Sequence, residues 1–249
     1  MKRFFTEKDI KKAYDQNVRS ESRGDYEKYR WFSDEQSRLD YAMTLNAILR
    51  SLKGVEFKNC MEVGAGPGTW TKIIKKSNPG SKILIVDISK EMLKQAKENL
   101  KGYGGISFHE GNFLDIKLNQ RFDMFFSSRA IEYMPDKEKL VDNIHLHLNS
   151  GGTGIIISKP PHPIKLGFRK LLGKKIDPMH LGRVSANVLG EKLKRRGFKS
   201  IESYPVIIPP RLPLFSPGIR LSIFKLLYKR PLNLISRNFS ESYLIKFRK

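Results

Sequence analysis

Cys60-Met61-Glu62-Val63-Gly64-Ala65-Gly66-Pro67-Gly68-Thr69-Trp70 is the stretch on which the fold turns. It reads as an apolar strand with one carboxylate near its end, then glycines at alternate positions, then the first turn of a helix. Glycine at 64, 66 and 68 lets the chain bend sharply and lets a ligand come within contact of the backbone, because no Cβ stands in the way. Pro67 stiffens the turn. The helix beyond it presents unpaired N–H groups and the positive end of its dipole to whatever lies over the turn. Strand, glycine turn and helix together predict a pocket for a nucleotide-like ligand.

Outward from this stretch, toward the C-terminus, strand patterns alternate with helix patterns, which predicts a mostly parallel sheet. The helix after the glycine turn is expected from about Trp70 to Lys76 and stops at Asn78-Pro79-Gly80. A second strand, Lys82 to Asp87, is a continuous apolar run ending in an acid. Its helix runs from about Lys90 to Leu100 with Ser89 as N-cap and Met92, Leu93, Ala96 and Leu100 facing inward. Further strands are expected at Ile106 to His109, Phe122 to Ser127 and Thr153 to Ser158, with a helix over Lys137 to Asn149 before the last of them. Beyond Lys159 come a proline-rich loop, a helix over Ser185 to Arg196, a sixth strand over Phe198 to Ile208 and a seventh near 241–248. The fold class is therefore α/β, a doubly wound, mostly parallel seven-stranded sheet. Toward the N-terminus, helices are expected over 6–19 and 34–52, the second with Leu39, Met43, Leu45, Ile48, Leu49 and Leu52 near helical spacing and Gly54 as its stop. Between them Arg23 to Phe32 mixes aromatic and basic residues, a composition suited to covering an aromatic or anionic ligand. Residues 1–55 thus form a helical cap and 56–249 the ligand-binding domain.

Charge is distributed unevenly. The chain of 249 residues has a formal net charge of +22. Residues 1–156 hold 26 Lys and Arg against 21 Asp and Glu, whereas residues 157–249 hold 21 against 4. A basic C-terminal part calls for an anionic partner: phospholipid head groups, nucleic acid or a phosphate-bearing substrate. Cys60 is the single cysteine, so a disulfide framework and a cysteine-built zinc site are excluded, no metal is expected, and a reducing compartment is. The N-terminus turns charged before any apolar run forms, and no window approaches the roughly 18 uninterrupted apolar residues of a spanning helix. A cytoplasmic protein, at most peripheral on the inner membrane surface, is the expectation.

Two ligand classes compete for a glycine turn after a first strand. A dinucleotide fingerprint, G-x-G-x-x-G, would need glycine where Thr69 stands. The spacing here is G-x-G-x-G with Glu62 two residues ahead, and Glu62 to Thr69 resembles the first motif of class I S-adenosylmethionine-dependent methyltransferases. Asp87 stands where that family places the acid that takes both ribose hydroxyls, a task for which a carboxylate, accepting two hydrogen bonds at once, is suited. Ile88 and Met92 would flank the adenine. Glu110-Gly111-Asn112-Phe113 is similar to the third motif, although most members carry Asp where Asn112 stands. Phe122 to Arg129 followed by Ile131-Glu132-Tyr133-Met134 resembles the fourth-strand segment running under the methyl group, and Leu148 to Gly152 the usual turn before strand five. The resemblance implies S-adenosylmethionine as cofactor, held by Glu62, Gly64, Ala65, Gly66, Gly68, Asp87, Ile88, Met92, Gly111, Asn112, Phe113 and Ser128.

The likeness is closest to the small-molecule and quinone-type enzymes of that class. Nucleic-acid amino-methyltransferases carry Asn or Asp before Pro-Pro and an aromatic residue after strand four, where this chain has Ser127-Ser128-Arg129-Ala130. An oxygen acceptor benefits from a general base, and His162 and His180, after strand five where the family places substrate-facing loops, are the candidates. His145 and His147 are expected to be solvated. In the C-terminal part, Pro209 to Pro217 leads into a helix over Gly218 to Arg230 with a wide apolar arc flanked by Arg211, Arg220, Lys229, Arg230 and Arg237. This basic apolar insertion, 209–240, fits a helix lying in an anionic membrane interface, and 160–197 forms a substrate-side loop and helix. The expectation is methyl transfer to a hydrophobic or lipid-linked small-molecule acceptor. The alternatives are an RNA methyltransferase using the basic part and a non-catalytic cofactor-binding partner subunit.

Overall fold

The computed structural model describes residues 6–19, 25–161, 182–207, 218–219, 222 and 240–249. His162, His180 and most of the 160–197 loop and the 209–240 insertion lie outside them. Three helices come first: α1 (Glu7–Arg19), α2 (Tyr26–Phe32) and α3 (Glu35–Leu52). The sheet follows with β1 (Asn59–Val63), β2 (Lys82–Asp87), β3 (Ile106–Glu110), β4 (Phe122–Ser128), β5 (Leu148–Ser158), β6 (Lys199–Ile207) and β7 (Ser242–Arg248). Between strands run α4 (Thr69–Ser77), α5 (Lys90–Asn99), α6 (Lys137–His147) and α7 (Ala186–Arg195), with one 3-10 turn at Ile131–Tyr133.

The strand order is β3-β2-β1-β4-β5-β7-β6. The pairs β1–β2, β1–β4, β2–β3 and β4–β5 are parallel, and β7 runs antiparallel to both β5 and β6. The chain thus winds outward in one direction from β1 to β3, returns to β4 beside β1, and winds the other way. That reversal between β1 and β4 opens a crevice at the carboxyl ends of the strands, where open α/β sheets bind their ligands.

Two apolar layers hold the sheet. On one face Met43, Ala47 and Ile48 of α3 and Trp70 and Ile74 of α4 meet Cys60, Ile83, Ile85, Met124 and Phe126; on the other Leu140, Val141 and Ile144 of α6 and Leu189 and Leu193 of α7 meet Met61, Val86, Phe125 and Ile156. Alternate residues of β1, β2 and β4 serve opposite layers, as the two-residue period of a strand requires. The starts of α3, α5, α6 and α7 are capped by side chains: Asp34 accepts from the Ser37 N–H, Ser89 from Met92, Asp136 from Lys139 and Ser185 from Val188.

Several local expectations change. The aromatic and basic stretch before residue 33 is itself helical, started by the Asp25 carboxylate accepting from the Lys28 N–H. Leu49 is exposed, and α3 turns Ala47 inward instead. His147 is buried, with Nδ1 2.9 Å from the Asn143 carbonyl oxygen and its ring 6.3 Å from that of Phe113.

Candidate active site

A cavity of about 310 Å3 lies at the carboxyl ends of β1, β2 and β4, roofed by α1 and α2. Its floor is the glycine turn. Gly64, Gly66 and Gly68 have φ of 72°, 56° and 84°, left-handed backbone that favours glycine at each position. The Gly64 N–H donates to the Val86 carbonyl (2.8 Å), and the Gly66 N–H to Asp87 Oδ2 (3.0 Å), so the turn is drawn against the end of β2. A Cβ on Gly64 would stand 2.1 Å from the Ala130 Cβ. Gly68 is the N-cap of α4 and offers no side chain, which leaves the first-turn N–H groups uncapped beside the cavity.

Asp87 is buried at the mouth of β2, with Oδ1 accepting from the Ser89 N–H (3.0 Å). Burial raises its pKa, opposed by the backbone N–H groups of Ser89 and Gly66. Ile88 and Met92 continue that wall, and Gly111, Asn112 and Phe113 face them from the turn after β3. The Asn112 side chain shapes its own turn: Oδ1 accepts from the Leu114 N–H (3.0 Å) and Nδ2 donates to Asp115 (2.9 Å).

The structure therefore brings Gly64, Ala65, Gly66, Asp87, Ile88, Met92, Gly111, Asn112, Phe113 and Ser128 to one cavity. Glu62 and Gly68 are not in its lining. Glu62 is buried beneath the turn, accepting a hydrogen bond from Thr71 Oγ1 (2.6 Å). Burial pushes its pKa up to about 8, against the Thr71 bond and helped by the nearby Asp87 charge. Its role is to tie β1 to α4.

The cap supplies further lining residues, those of α2 coming from the aromatic and basic stretch expected to cover the ligand. Ile10 and Tyr14 of α1 and Tyr26, Arg30 and Trp31 of α2 line the cavity, with Arg129 and Tyr133 opposite. Trp31 packs edge-on against Trp70 (5.2 Å), Tyr41 stacks on Trp70 (5.2 Å), and the Arg30 guanidinium lies 4.2 Å over the Trp31 ring. The Tyr14 and Tyr133 rings meet edge to face at 5.5 Å. Burial raises the pKa of Tyr14, Tyr26 (to about 12) and Tyr133, so all three are neutral phenols at physiological pH. The cap is fastened to the donor wall by Ser89 Oγ, which donates to Asp15 (2.6 Å), and by the Lys11–Glu110 ion pair.

Sequence and fold have counterparts among known proteins. Residues 61–153 match the methyltransferase domain family. A malonyl-[acyl-carrier protein] O-methyltransferase of Calditerrivibrio nitroreducens is 25% identical over 53% of this chain and 51% of its own length. A trans-aconitate 2-methyltransferase of Afipia carboxidovorans is 28% identical over 44% of this chain and 40% of its own length. The chain thus spans about half the length, or less, of these curated relatives. The N-methyltransferase NodS from Bradyrhizobium japonicum, solved in complex with S-adenosyl-L-homocysteine, shares the fold with a TM-score of 0.62 at 16% identity, over 95% of this chain and 98% of that one. Residues 61–153 thus resemble a methyltransferase domain, set in a seven-stranded α/β fold that the solved methyltransferase NodS shares.

Proposed function

We propose that the protein binds S-adenosylmethionine in this cavity and transfers its methyl group to a small-molecule acceptor with an apolar body. The observation that carries the reading is the Asp87 carboxylate, buried at the end of β2 against the Gly66 N–H and next to an uncapped helix start. The lining also fits the cofactor. Thr69 Oγ and Ser128 Oγ are buried there without a hydrogen-bond partner among the described residues, and a polar ligand would satisfy them.

When bound, the cofactor supplies an electrophilic methyl group on a sulfonium. Asp87 would accept from the vicinal ribose hydroxyls, and Met92 and Ile88 would provide an apolar slot for the base. The glycine turn admits the ligand close to the backbone. Arg30, stacked on Trp31 beside the first turn of α4, carries the charge that suits the carboxylate of the methionine portion. Cap helices α1 and α2 keep water out, so that nucleophile and methyl group meet in a dry, preorganised space.

By their names the two relatives act on malonyl-[acyl-carrier protein] and on trans-aconitate, and the second supports a small-molecule acceptor here. Ile10, Trp31, Val63, Leu114 and Met134 in the walls support an apolar acceptor body. The basic residues after 157 support a fuller form of the reading, in which a hydrophobic or lipid-linked acceptor is met at an anionic membrane surface on the cytoplasmic side.

Calorimetric titration with S-adenosylhomocysteine tests the donor half. We expect saturable binding by the wild type and a loss of about tenfold or more in Asp87→Ala, the scale of a charged hydrogen-bond acceptor. No binding by the wild type would sink the reading.

A further inference from the structure

The segment from Arg129 to Glu132 carries a charge that donor binding leaves unused. Arg129 has φ of 65°, left-handed backbone that a residue with a Cβ adopts only when its surroundings hold it there. What holds it is visible. Its N–H donates to the Ile157 carbonyl (2.8 Å), and Nε donates to Glu132 Oε1 (2.5 Å). Glu132 is completely buried; the same Oε1 accepts from the Lys159 N–H (3.1 Å), and Oε2 faces Arg183 Nε at 3.4 Å. Burial works against the Arg129 charge, and the Glu132 carboxylate more than compensates, so the guanidinium titrates above its ordinary range.

One edge of the guanidinium is therefore fixed while the residue lines the cavity. Its Nη1 is buried and has no hydrogen-bond partner among the described residues, and neither has the adjacent Ser128 Oγ. A buried N–H without an acceptor is costly unless a ligand supplies one. Arg30 adds a second positive charge to the same walls. The sole carboxylate among the described lining residues is Asp87, whose two oxygens already accept from backbone N–H groups. No histidine is among them, and the lining phenols hold their protons. The described lining thus attracts an anion, and no base is among its residues. The acceptor it suits is already anionic and has no proton to lose, which at neutral pH describes a carboxylate.

We propose that Arg129, positioned by Glu132, binds a carboxylate of the methyl acceptor, so that the substrates are carboxylic acids with apolar bodies. Such an oxygen forms its bond to the methyl carbon as the carbon–sulfur bond breaks, and the electron pair of that bond leaves on a neutral thioether. Charge is neutralised on both partners and no proton moves. The inference rests on the donor reading above.

The test uses the full chain saturated with S-adenosylhomocysteine and titrated calorimetrically with four probes of equal length: hexanoate, hexanol, hexylammonium and hexyl phosphate. Hexanoate should bind about tenfold or more tighter than the others. Arg129→Gln should remove that preference while changing S-adenosylhomocysteine affinity by less than about twofold, and Arg129→Lys, which keeps the charge but loses the planar fork, should restore part of it. Equal binding of hexanoate and hexanol, or tighter binding of hexyl phosphate, overturns the inference whatever the variants do. So does a weakening of S-adenosylhomocysteine alone in Arg129→Gln, which would assign the arginine to the donor's own carboxylate. Failure of the wild type to bind S-adenosylhomocysteine removes the donor reading and this inference together, whereas donor binding without acid preference removes the inference alone.

Discussion

Burial at the base of the glycine turn keeps the Glu62 carboxyl protonated well into the neutral range, and that has a measurable consequence. Its pKa in the folded protein is about 8 against an ordinary 4.5. Across that interval the folded state holds a proton that the unfolded chain has released. Stability therefore falls as pH rises from about 4.5 to about 8, by up to about 1.4 kcal/mol per pH unit, and levels off above. Glu62→Gln retains an oxygen to accept from Thr71 but has nothing to titrate. We expect this contribution to the slope to vanish in the variant, measured as the midpoint of thermal unfolding between pH 5 and pH 8; parallel curves for the two proteins would refute the assignment. The residue also shows where sequence reading stops. Gly64, Gly66, Asp87 and Met92 were legible because their positions follow from a strand end and the turn after it. Glu62 belongs to the same motif, yet the strand's pleat and Thr71 turn it away from the cavity. Tyr14 reaches the cavity from a helix far from the glycine turn in sequence, a separation over which local pattern carries no information.

At the scale of elements, the amphipathic helices and apolar strands were readable because each buries one face with its own period. Helix α2 was not. It has seven residues, too few to nucleate a stable helix alone, and its stability comes from tertiary contacts. Trp31 is the residue through which those contacts run, being 6% exposed and lodged against Tyr41 and Trp70. Trp31→Ala should cost about 3 kcal/mol in chemical denaturation and open the α1–α2 roof to limited proteolysis, whereas Trp31→Phe should recover much of both. Unchanged cleavage in the alanine variant would mean that the roof is held by α1 through Ser89–Asp15 and Lys11–Glu110 instead. The entry of β7 between β5 and β6 was likewise hidden. Alternation within a strand says which faces are apolar and is silent about which strand lies beside it.

Across the whole molecule, the excess of 21 Lys and Arg over 4 Asp and Glu after residue 156 remains the largest feature that the cavity does not employ. Among the described residues no helix is long and apolar enough to cross a membrane, so lipid contact would be interfacial. We expect the protein to float with vesicles containing anionic phospholipid at low salt, to ignore neutral vesicles, and to be released near 0.5 M salt, where the screening length falls to roughly 4 Å. Retention on RNA with no flotation at low salt would turn the basic half toward nucleic acid. Within the folded core, the approach of Gly64 to Ala130 ties the two halves of the cavity to one thin partition. One side of it cradles the donor and the other precedes Ile131 and Glu132, which anchor the proposed acceptor arginine. A bulkier residue at 130, chosen to exclude larger acceptors, would push the donor loop out of place. On the proposed reading, donor and acceptor specificity are therefore coupled at position 130, because a side chain that narrows the acceptor space there also disturbs the glycine turn.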